Sequence, residues 1–170
     1  YDKGEPELTL GSSIGSSKKY FQPGDVLLSR IVPHIRRCWI VPKSHDHRQI
    51  GSGEWIVFRT SDVYSSFLRF YLMSDVFNLK FMKTIKGVGG SLMRADPNQV
   101  KRFKLLLPPL EEQKKIAAIL DAADEYRQKT KALIDKYDRL TQSLFLDMFG
   151  DPVTNPKGWQ RFQLKEFGKI

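Results

Sequence analysis

The stretch LLLPPLEEQKKIAAILDAAD, residues 105–124, joins an apolar run to a helical pattern through two prolines. The prolines lack the amide hydrogen that a sheet ladder needs, so they end any strand that precedes them. Glu111 and Glu112 follow, and negative charge in a first turn stabilises a helix through its dipole. Glu111 also stands four residues before Lys115, the favourable orientation for an ion pair on a helix. The stretch therefore predicts a boundary between a globular domain and a long helix.

Downstream of the prolines, residues spaced alternately by three and four form the pattern of a coiled-coil seam. The predicted seam consists of Ile116, Ile119, Ala123, Tyr126, Thr130, Leu133, Tyr137, Leu140 and Leu144. Gly150 and the following Asp151–Pro152 pair predict the end of the helix. A helix over 112–148 would be roughly 55 Å long at ~1.5 Å per residue, too long for a small domain to bury. The pattern favours pairing with a second long helix, in this chain or another. The alternative is a helix lying across its own domain.

Upstream of the prolines, short apolar runs alternate with helical patterns, which predicts an α+β fold. The compact mixed domain of sheet and helix would precede the long coiled-coil helix. The predicted strands are 26–31, 35–41, 55–59 and 103–107, with a polar loop at 42–53. The predicted helices are one of about three turns capped by Ser61 or Asp62, a second at 76–83, and a single turn with Asp96 as cap and Pro97 in first position.

The chain is thus predicted to have three parts: a domain over 1–109, a spacer helix over 110–149, and a further segment over 150–170. The last part carries Trp159, Phe162, Leu164 and Phe167 after a turn, which is typical of the start of another globular unit rather than a tail.

The positive charge is concentrated in the first part. Of a net charge of +9, residues 1–109 hold 17 Lys and Arg against nine Asp and Glu, whereas residues 110–149 hold seven against eight. A compact basic domain favours a polyanionic partner, most often nucleic acid.

The only cysteine, Cys38, excludes an internal disulfide framework and fits a reducing compartment. No apolar run approaches the ~20 residues needed to span a bilayer, and the first residues lack the apolar centre of a signal peptide. The sequence therefore predicts a cytoplasmic protein with no membrane partner.

Catalytic signatures are missing from the sequence. His34, Cys38, His45 and His47 fall close together, but their spacing matches no zinc finger or catalytic zinc site, so no metal is predicted. Cys38 lies in an apolar run and is expected to be a small core residue. The tetrapeptide at 155–158, N-P-K-G, lacks the second proline and aromatic residue of a methyltransferase motif. The glycines near residue 88 follow a helical pattern, so no dinucleotide site is predicted. No catalytic residue and no cofactor is expected.

Four ordered stretches resemble the specificity subunits of type I restriction–modification systems. They are QPGDVLLSR (22–30), KGVGGSLMRADPNQVKRFKLLLPP (86–109), LLLPPLEEQKKIAAILDAAD (105–124) and NPKGWQRFQLKEFGKI (155–170). Together they cover most of residues 20–170. The last stretch resembles the opening of a target recognition domain in the same family.

The resemblance implies a DNA-recognition subunit without catalysis. In that family, two recognition domains each read one half of a bipartite double-stranded DNA site. Two long antiparallel helices separate them and dock the adenine-methylating modification subunits, through which the restriction and translocase subunit is reached indirectly. This chain would hold one helix, most of one domain and the start of another, as a fragment or a half-sized subunit. A homodimer through the long helix would supply the second half. Residues 155–170 are hypothesised to take the place of the missing first segment of the recognition domain, in a circularly permuted arrangement.

Base reading requires side chains that reach base edges and positive charge that holds phosphates. Glycines allow backbone amides to approach a phosphate closely. The predicted DNA-binding residues are Arg30, Arg36, Arg37, Lys43, Arg48, Lys83, Lys86, Gly89, Gly90, Ser91 and Arg94. Arg59 and Arg69 are not included, because one lies in a predicted strand and the other on a predicted helix face.

Two other functions fit parts of the sequence. A coiled-coil adaptor with a basic domain would bind an acidic protein or lipid, and would not prefer one duplex over another. A metal-dependent enzyme built on the His and Cys cluster would contain stoichiometric zinc.

Overall fold

A computed structural model of the chain describes residues 6–43, 47–87, 89 and 92–168. The strands are β1 (Lys18–Phe21), β2 (Val26–Ser29), β3 (Cys38–Ile40), β4 (Gln49–Ser52), β5 (Trp55–Phe58), β6 (Ile85–Lys86) and β7 (Arg94–Ala95). The α-helices are α1 (Ser65–Met73), α2 (Asp75–Met82), α3 (Pro97–Val100) and α4 (Leu110–Phe149). Short 3-10 helices lie at Gly11–Ser13 and Leu164–Glu166. The predicted α+β class, with a long helix after the mixed domain, is confirmed.

The central strand of the domain is β2, which pairs antiparallel with β3 on one side and β5 on the other. Leu27 lies opposite Trp39 and Val57 and is completely buried. All four residues of β2 are buried, because both faces of the strand are covered. The apolar run at 26–29 therefore forms the inside of the domain, as its composition predicts.

The main core lies where α1 and α2 pack against one face of this sheet. Leu68 and Leu72 of α1 are buried together with Phe77 and Phe81 of α2. Phe77 stacks on Phe81 at a centroid distance of 5.4 Å and meets Phe103 edge-on at 5.9 Å. This aromatic contact extends the core to the segment that leads into the two prolines.

Two further pairs of strands lie outside the three-stranded sheet. Strand β1 pairs antiparallel with β4, and β6 pairs antiparallel with β7. Strand β4 falls within 42–53, so the prediction of a loop over that whole range is wrong. The sequence does not indicate this strand, because Gly51 and Ser52 interrupt the apolar alternation and are weak strand formers.

The predicted strand at 103–107 is also wrong, because this stretch carries no strand pairing. Phe103 and Leu105 pack against the core, while Leu106 is 93% exposed. Phe103 and Leu105 are therefore covered by packing against the core, without pairing to a neighbouring strand. An alternating pattern reports which face is buried, and it does not require a neighbouring strand.

The first helix starts later than predicted and without the predicted cap. Its N-cap position is Tyr64, and neither Ser61 nor Asp62 caps it. The amide of Tyr64 instead donates to Oε1 of Gln113, 49 residues away. The Asp96 cap is confirmed, since its carboxylate accepts from the Asn98 amide in front of α3.

The long helix α4 runs for 40 residues, which is about 60 Å at ~1.5 Å per residue. It ends at Gly150, whose φ of +87° is the left-handed conformation of a helix-terminating glycine. The indole of Trp159 donates to the Phe149 carbonyl at 2.7 Å, and Lys157 donates to the Asp147 carbonyl at 3.0 Å. These bonds satisfy carbonyls that the last turn leaves without helical partners.

The described chain forms two compact units, and the boundary lies within α4. The first ends at Asp121 and the second begins at Ala122. The first unit thus includes the opening turns of the helix. The division at 109, 149 and 150 into a recognition domain, a spacer and a third segment stays a prediction.

Candidate nucleic-acid interface

Two of the predicted DNA-binding arginines meet on one carboxylate. Glu54 lies in the turn between β4 and β5; its Oε1 accepts from Nε of Arg94 at 2.8 Å, and its Oε2 lies 3.2 Å from Nε of Arg30. The Arg30 contact is an ion pair without hydrogen-bond alignment, so within the described chain that nitrogen and Oε2 of Glu54 lack a hydrogen-bond partner. We call these three residues the arginine cluster. It carries one more positive than negative group.

Backbone pairing brings the arginine cluster together. The amide of Arg30 donates to the Glu54 carbonyl at 3.0 Å, and the amide of Ala95 donates to the Arg30 carbonyl at 2.8 Å. Ile31 forms a bridge with Arg94. The backbone of Arg30 is therefore held between the β4–β5 turn and β7. The side chains of Arg30 and Arg94 thus extend from a backbone whose position is fixed by hydrogen bonds.

The predicted glycine loop connects β6 to β7 next to the arginine cluster. Gly87 and Gly89 have φ values of +95° and +91°, which side chains rarely adopt. A Cβ at Gly87 would lie 2.6 Å from the Leu92 carbonyl oxygen, whereas a Cβ at Gly89 would meet open space. The loop is thus a close backbone turn at its first glycine. Gly90 and Ser91 lie outside the described residues.

Lys86, directly before this loop, forms an ion pair with Asp96 at 2.7 Å. The hydrogen bond from Lys86 is the main cause that holds the pKa of the Asp96 carboxyl below its usual range, and the Asn98 amide adds to it. Lys86 is therefore a mostly exposed cation whose position is set by the cap of α3.

Five other predicted DNA-binding residues lie in other segments of the domain. Arg36 is bound at the junction of α1 and α2, where NH1 contacts Oδ1 of Asp75 at 2.6 Å and the Met73 carbonyl at 3.2 Å. Arg37 is half-buried and its carbonyl accepts from Ser29. Three more are exposed basic side chains, namely Lys43, Lys83 and Arg48.

Arg59 and Arg69, left out of the predicted set, both form internal ion pairs. Arg59 makes two hydrogen bonds to Asp25, at 2.8 and 2.7 Å, and the Asp25 side chain is only 1% exposed. These bonds are the main cause that holds the pKa of Asp25 below its usual range, and the amide of Gln22 adds to it. Arg69 pairs with Asp121 of α4 at 3.2 Å.

The residues that fasten α4 to the domain were missed by the sequence reading. Gln113 is buried, accepts from the Tyr64 amide at 2.9 Å and donates from Nε2 to the Pro108 carbonyl at 2.8 Å. Two turns later, Asp121 accepts from the Ser66 hydroxyl at 2.7 Å. Gln113, Ala117 and Asp121 recur every four residues, which is the signal that would have identified a second helix face.

The predicted coiled-coil seam is exposed and belongs to a different face. Ile116 is 38% exposed and Leu133 is 50% exposed. The other predicted seam residues are also exposed, namely Ile119, Ala123, Tyr126, Thr130, Tyr137, Leu140 and Leu144. Pairing through this seam stays a prediction.

Cys38, a member of the histidine and cysteine cluster, lies in β3. Burial raises the pKa of the Cys38 thiol to about 12, so this residue of β3 is protonated and a poor nucleophile at neutral pH. His45 lies outside the described residues. Within the described residues, no group of three or more His, Cys, Asp and Glu is arranged to hold a metal ion. Across the same residues, no helix is long and apolar enough to cross a membrane.

Comparison with known proteins supplies the relationship. Residues 7–136 match the family of the type I restriction modification DNA specificity domain. The fold is similar to the HsdS subunit from Thermoanaerobacter tengcongensis, at 26% identity over 93% of this chain, with a TM-score of 0.63. A second similar structure, from work on complex assembly and conformational transition of the type I R-M system, gives 26% identity over 93% of this chain and a TM-score of 0.67. The chain spans 40% of the length of each of these structures. It belongs to the family of type I restriction modification DNA specificity domains.

Proposed function

We propose that this chain recognises one half of a bipartite DNA sequence for a type I restriction–modification complex, and that α4 docks the adenine-methylating subunits. The observation that carries the proposal is the family match over residues 7–136, which contains the arginine cluster and the glycine loop. The chain itself performs no catalysis in this proposal. Methylation and cleavage belong to partner subunits.

The arginine cluster supports contact with DNA. Arginine presents a planar fork that binds guanine O6 and N7 or a phosphate through two hydrogen bonds. Glu54 holds Arg30 and Arg94 by their Nε atoms, which orients both side chains while the cluster remains net positive. Lys86 lies opposite Arg94 in the β6–β7 pair and adds a cation, and the turn at Gly87 adds a close backbone approach.

The two faces of α4 support a docking role. One face fastens the helix to the domain through Gln113, Ala117 and Asp121. The seam face carries an exposed apolar stripe along the helix, and a partner helix would bury it.

A methylation map tests the proposal. The chain is co-expressed with a type I modification subunit, and methyladenine is mapped across the host genome. We expect a bipartite motif, and identical inverted halves would show a symmetric dimer of this chain. A stable complex that methylates no defined sequence would contradict recognition and would leave a docking adaptor.

The matched variants are Arg30→Gln and Arg94→Gln against Arg127→Gln. Arg127 is also an ion-paired arginine, bound to Asp124 within α4, and lies outside the arginine cluster. The first two variants should lower methylation of the motif on the order of 10-fold or more, since one bidentate base contact contributes ~1–3 kcal/mol of discrimination. Equal losses in all three variants would contradict a specific role for the arginine cluster.

A further inference from the structure

The pair of strands β1 and β4 forms a two-stranded ribbon with two different faces. Its register places Tyr20 opposite Ile50 and Lys18 opposite Ser52, and directly opposed residues share a face. Phe21 and Lys19 therefore lie on the other face, together with their partners Gln49 and Gly51. We call the first set the outer face of the ribbon and the second set its inner face.

The inner face is fastened to the domain. Phe21 is buried, and its ring occupies the space over Gly51, where a Cβ would lie 2.3 Å from the ring. Lys19 donates to the Trp55 carbonyl at 2.6 Å, and Nε2 of Gln49 donates to the Pro42 carbonyl at 2.9 Å. The backbone of the ribbon is therefore fixed from one side.

The outer face is exposed. Tyr20 is 56% exposed and Ile50 is 41% exposed, with Lys18 and Ser52 also exposed beside them. A lysine, an aromatic ring, an aliphatic side chain and a hydroxyl thus stand together on a rigid backbone. The outer face therefore offers apolar contact area beside a cation.

The charge around the ribbon favours a polyanion. Residues 16–22 and 47–53 contain Lys18, Lys19 and Arg48 and no Asp or Glu. The carboxylates that follow in the chain, Asp25 and Glu54, are both held in ion pairs with arginine. The ribbon also leads directly into the arginine cluster, because the Glu54 amide donates to the Ser52 hydroxyl at 3.1 Å.

We infer that the ribbon enters the DNA major groove and that Lys18, Tyr20 and Ile50 read bases within the proposed half-site. This inference rests on the proposed function. The major groove of B-DNA admits a two-stranded ribbon, lysine binds guanine O6 and N7, and apolar side chains contact the thymine methyl group. The arginine cluster and the glycine loop then hold the adjoining backbone or bases, so the ribbon determines sequence and its neighbours determine position.

The test uses the complete complex with the modification subunit and compares the methylated motif of variant and wild type. The ribbon variants are Lys18→Gln, Tyr20→Ala and Ile50→Ala. The matched controls are Lys80→Gln and Leu79→Ala, which change an exposed lysine and an exposed apolar residue of α2. Tyr20 and Ile50 belong to neither of the two buried core clusters, so urea denaturation should give midpoints close to wild type for the ribbon variants.

The expected result is a changed motif. At least one ribbon variant should methylate sites with a different base at one position of the half-site on the order of 10-fold more than wild type does. The control variants should keep the wild-type motif. An unchanged motif for all three ribbon variants overturns the inference, whether methylation is normal, uniformly weaker or accompanied by a changed oligomeric state. In that case the wild-type motif still supports the proposed function. A wild-type complex that methylates no motif overturns both.

Discussion

At the level of single residues, buried polar side chains with complete partners hold this domain in shape. Asp25 lies in the turn between β1 and β2, where its carboxylate accepts from Arg59 and from the Gln22 amide. Its own carbonyl accepts from Val41 next to β3. One residue thereby ties the turn to the end of β5 and to the strand pairing around it.

Asp25→Asn should destabilise the domain by about 1–3 kcal/mol at neutral pH, because a charge-assisted pair to Arg59 is lost. The pKa of Asp25 is lowered in the folded state, so its stabilisation is present above the unfolded value of ~3.9 and is lost as the pH falls below it. Urea denaturation at pH 7 and near pH 3 measures this. The gap between variant and wild type should shrink at low pH, and a constant gap would contradict the pairing.

Asp75→Asn is the matched control, since Asp75 forms an ion pair with Arg36 but its side chain is 84% exposed. Exposed pairs contribute little to stability. Its unfolding midpoint should stay close to wild type at both pH values.

Gln113→Ala should also destabilise the domain, by about 1–3 kcal/mol. The buried Gln113 side chain is the hydrogen-bond partner of the Tyr64 amide and the Pro108 carbonyl, and the variant removes both bonds. Gln142→Ala removes an exposed glutamine of the same helix and should change nothing measurable. Urea midpoints for the two variants decide this. Similar midpoints would show that Gln113 is not a fastening residue.

At the level of elements, the two glycines of the β6–β7 loop that the structure describes differ in the space around them. Gly87→Ala adds a Cβ 2.6 Å from the Leu92 carbonyl to an already unfavourable φ, whereas Gly89→Ala meets only the unfavourable φ. We expect the first variant to be the less stable by thermal melting, and to weaken DNA binding more. A lower melting temperature for Gly89→Ala would contradict this description of the turn.

The exposed seam of α4 gives the second prediction at this level. Leu133→Asp places a charge in the centre of the stripe and should turn a dimer into monomers. Gln142→Asp, at a non-seam position of the same helix, is the control and should leave the oligomer intact. Sedimentation velocity distinguishes the species. An unchanged coefficient for Leu133→Asp would mean that the seam does not mediate pairing.

At the level of the whole molecule, the basic charge predicts a salt-dependent affinity for DNA. Lys43→Gln and Lys83→Gln each remove an exposed cation of the first domain. A lysine that binds a phosphate contributes about one unit to the slope of log K against log salt. Titration of the complex with modification subunit, at several salt concentrations, should show a shallower slope for a true phosphate contact. An unchanged slope for both would place these lysines outside the interface.

The sequence alone predicted the parts of the molecule that depend on local patterns. The strands at 26–29 and 55–58, the cap at Asp96 and the start and end of α4 each follow from apolar period, proline and glycine chemistry, and these signals act between neighbours in the chain. The family resemblance followed from the same local stretches, and the comparison confirms it.

The tertiary structure decided everything that depends on distant partners. The amide of the N-cap residue Tyr64 donates to Gln113, and neither Ser61 nor Asp62 caps α1. The stretch at 103–107 is packed without being a strand, and β4 forms as the partner of β1. The arginine cluster likewise depends on Glu54, which lies far from Arg30 and Arg94 in the sequence. No local pattern predicts that these three residues meet. Local patterns predict most of the elements. Packing, and the need of each buried polar group for a partner, determine which side chains meet and whether a weak or alternating stretch becomes a strand.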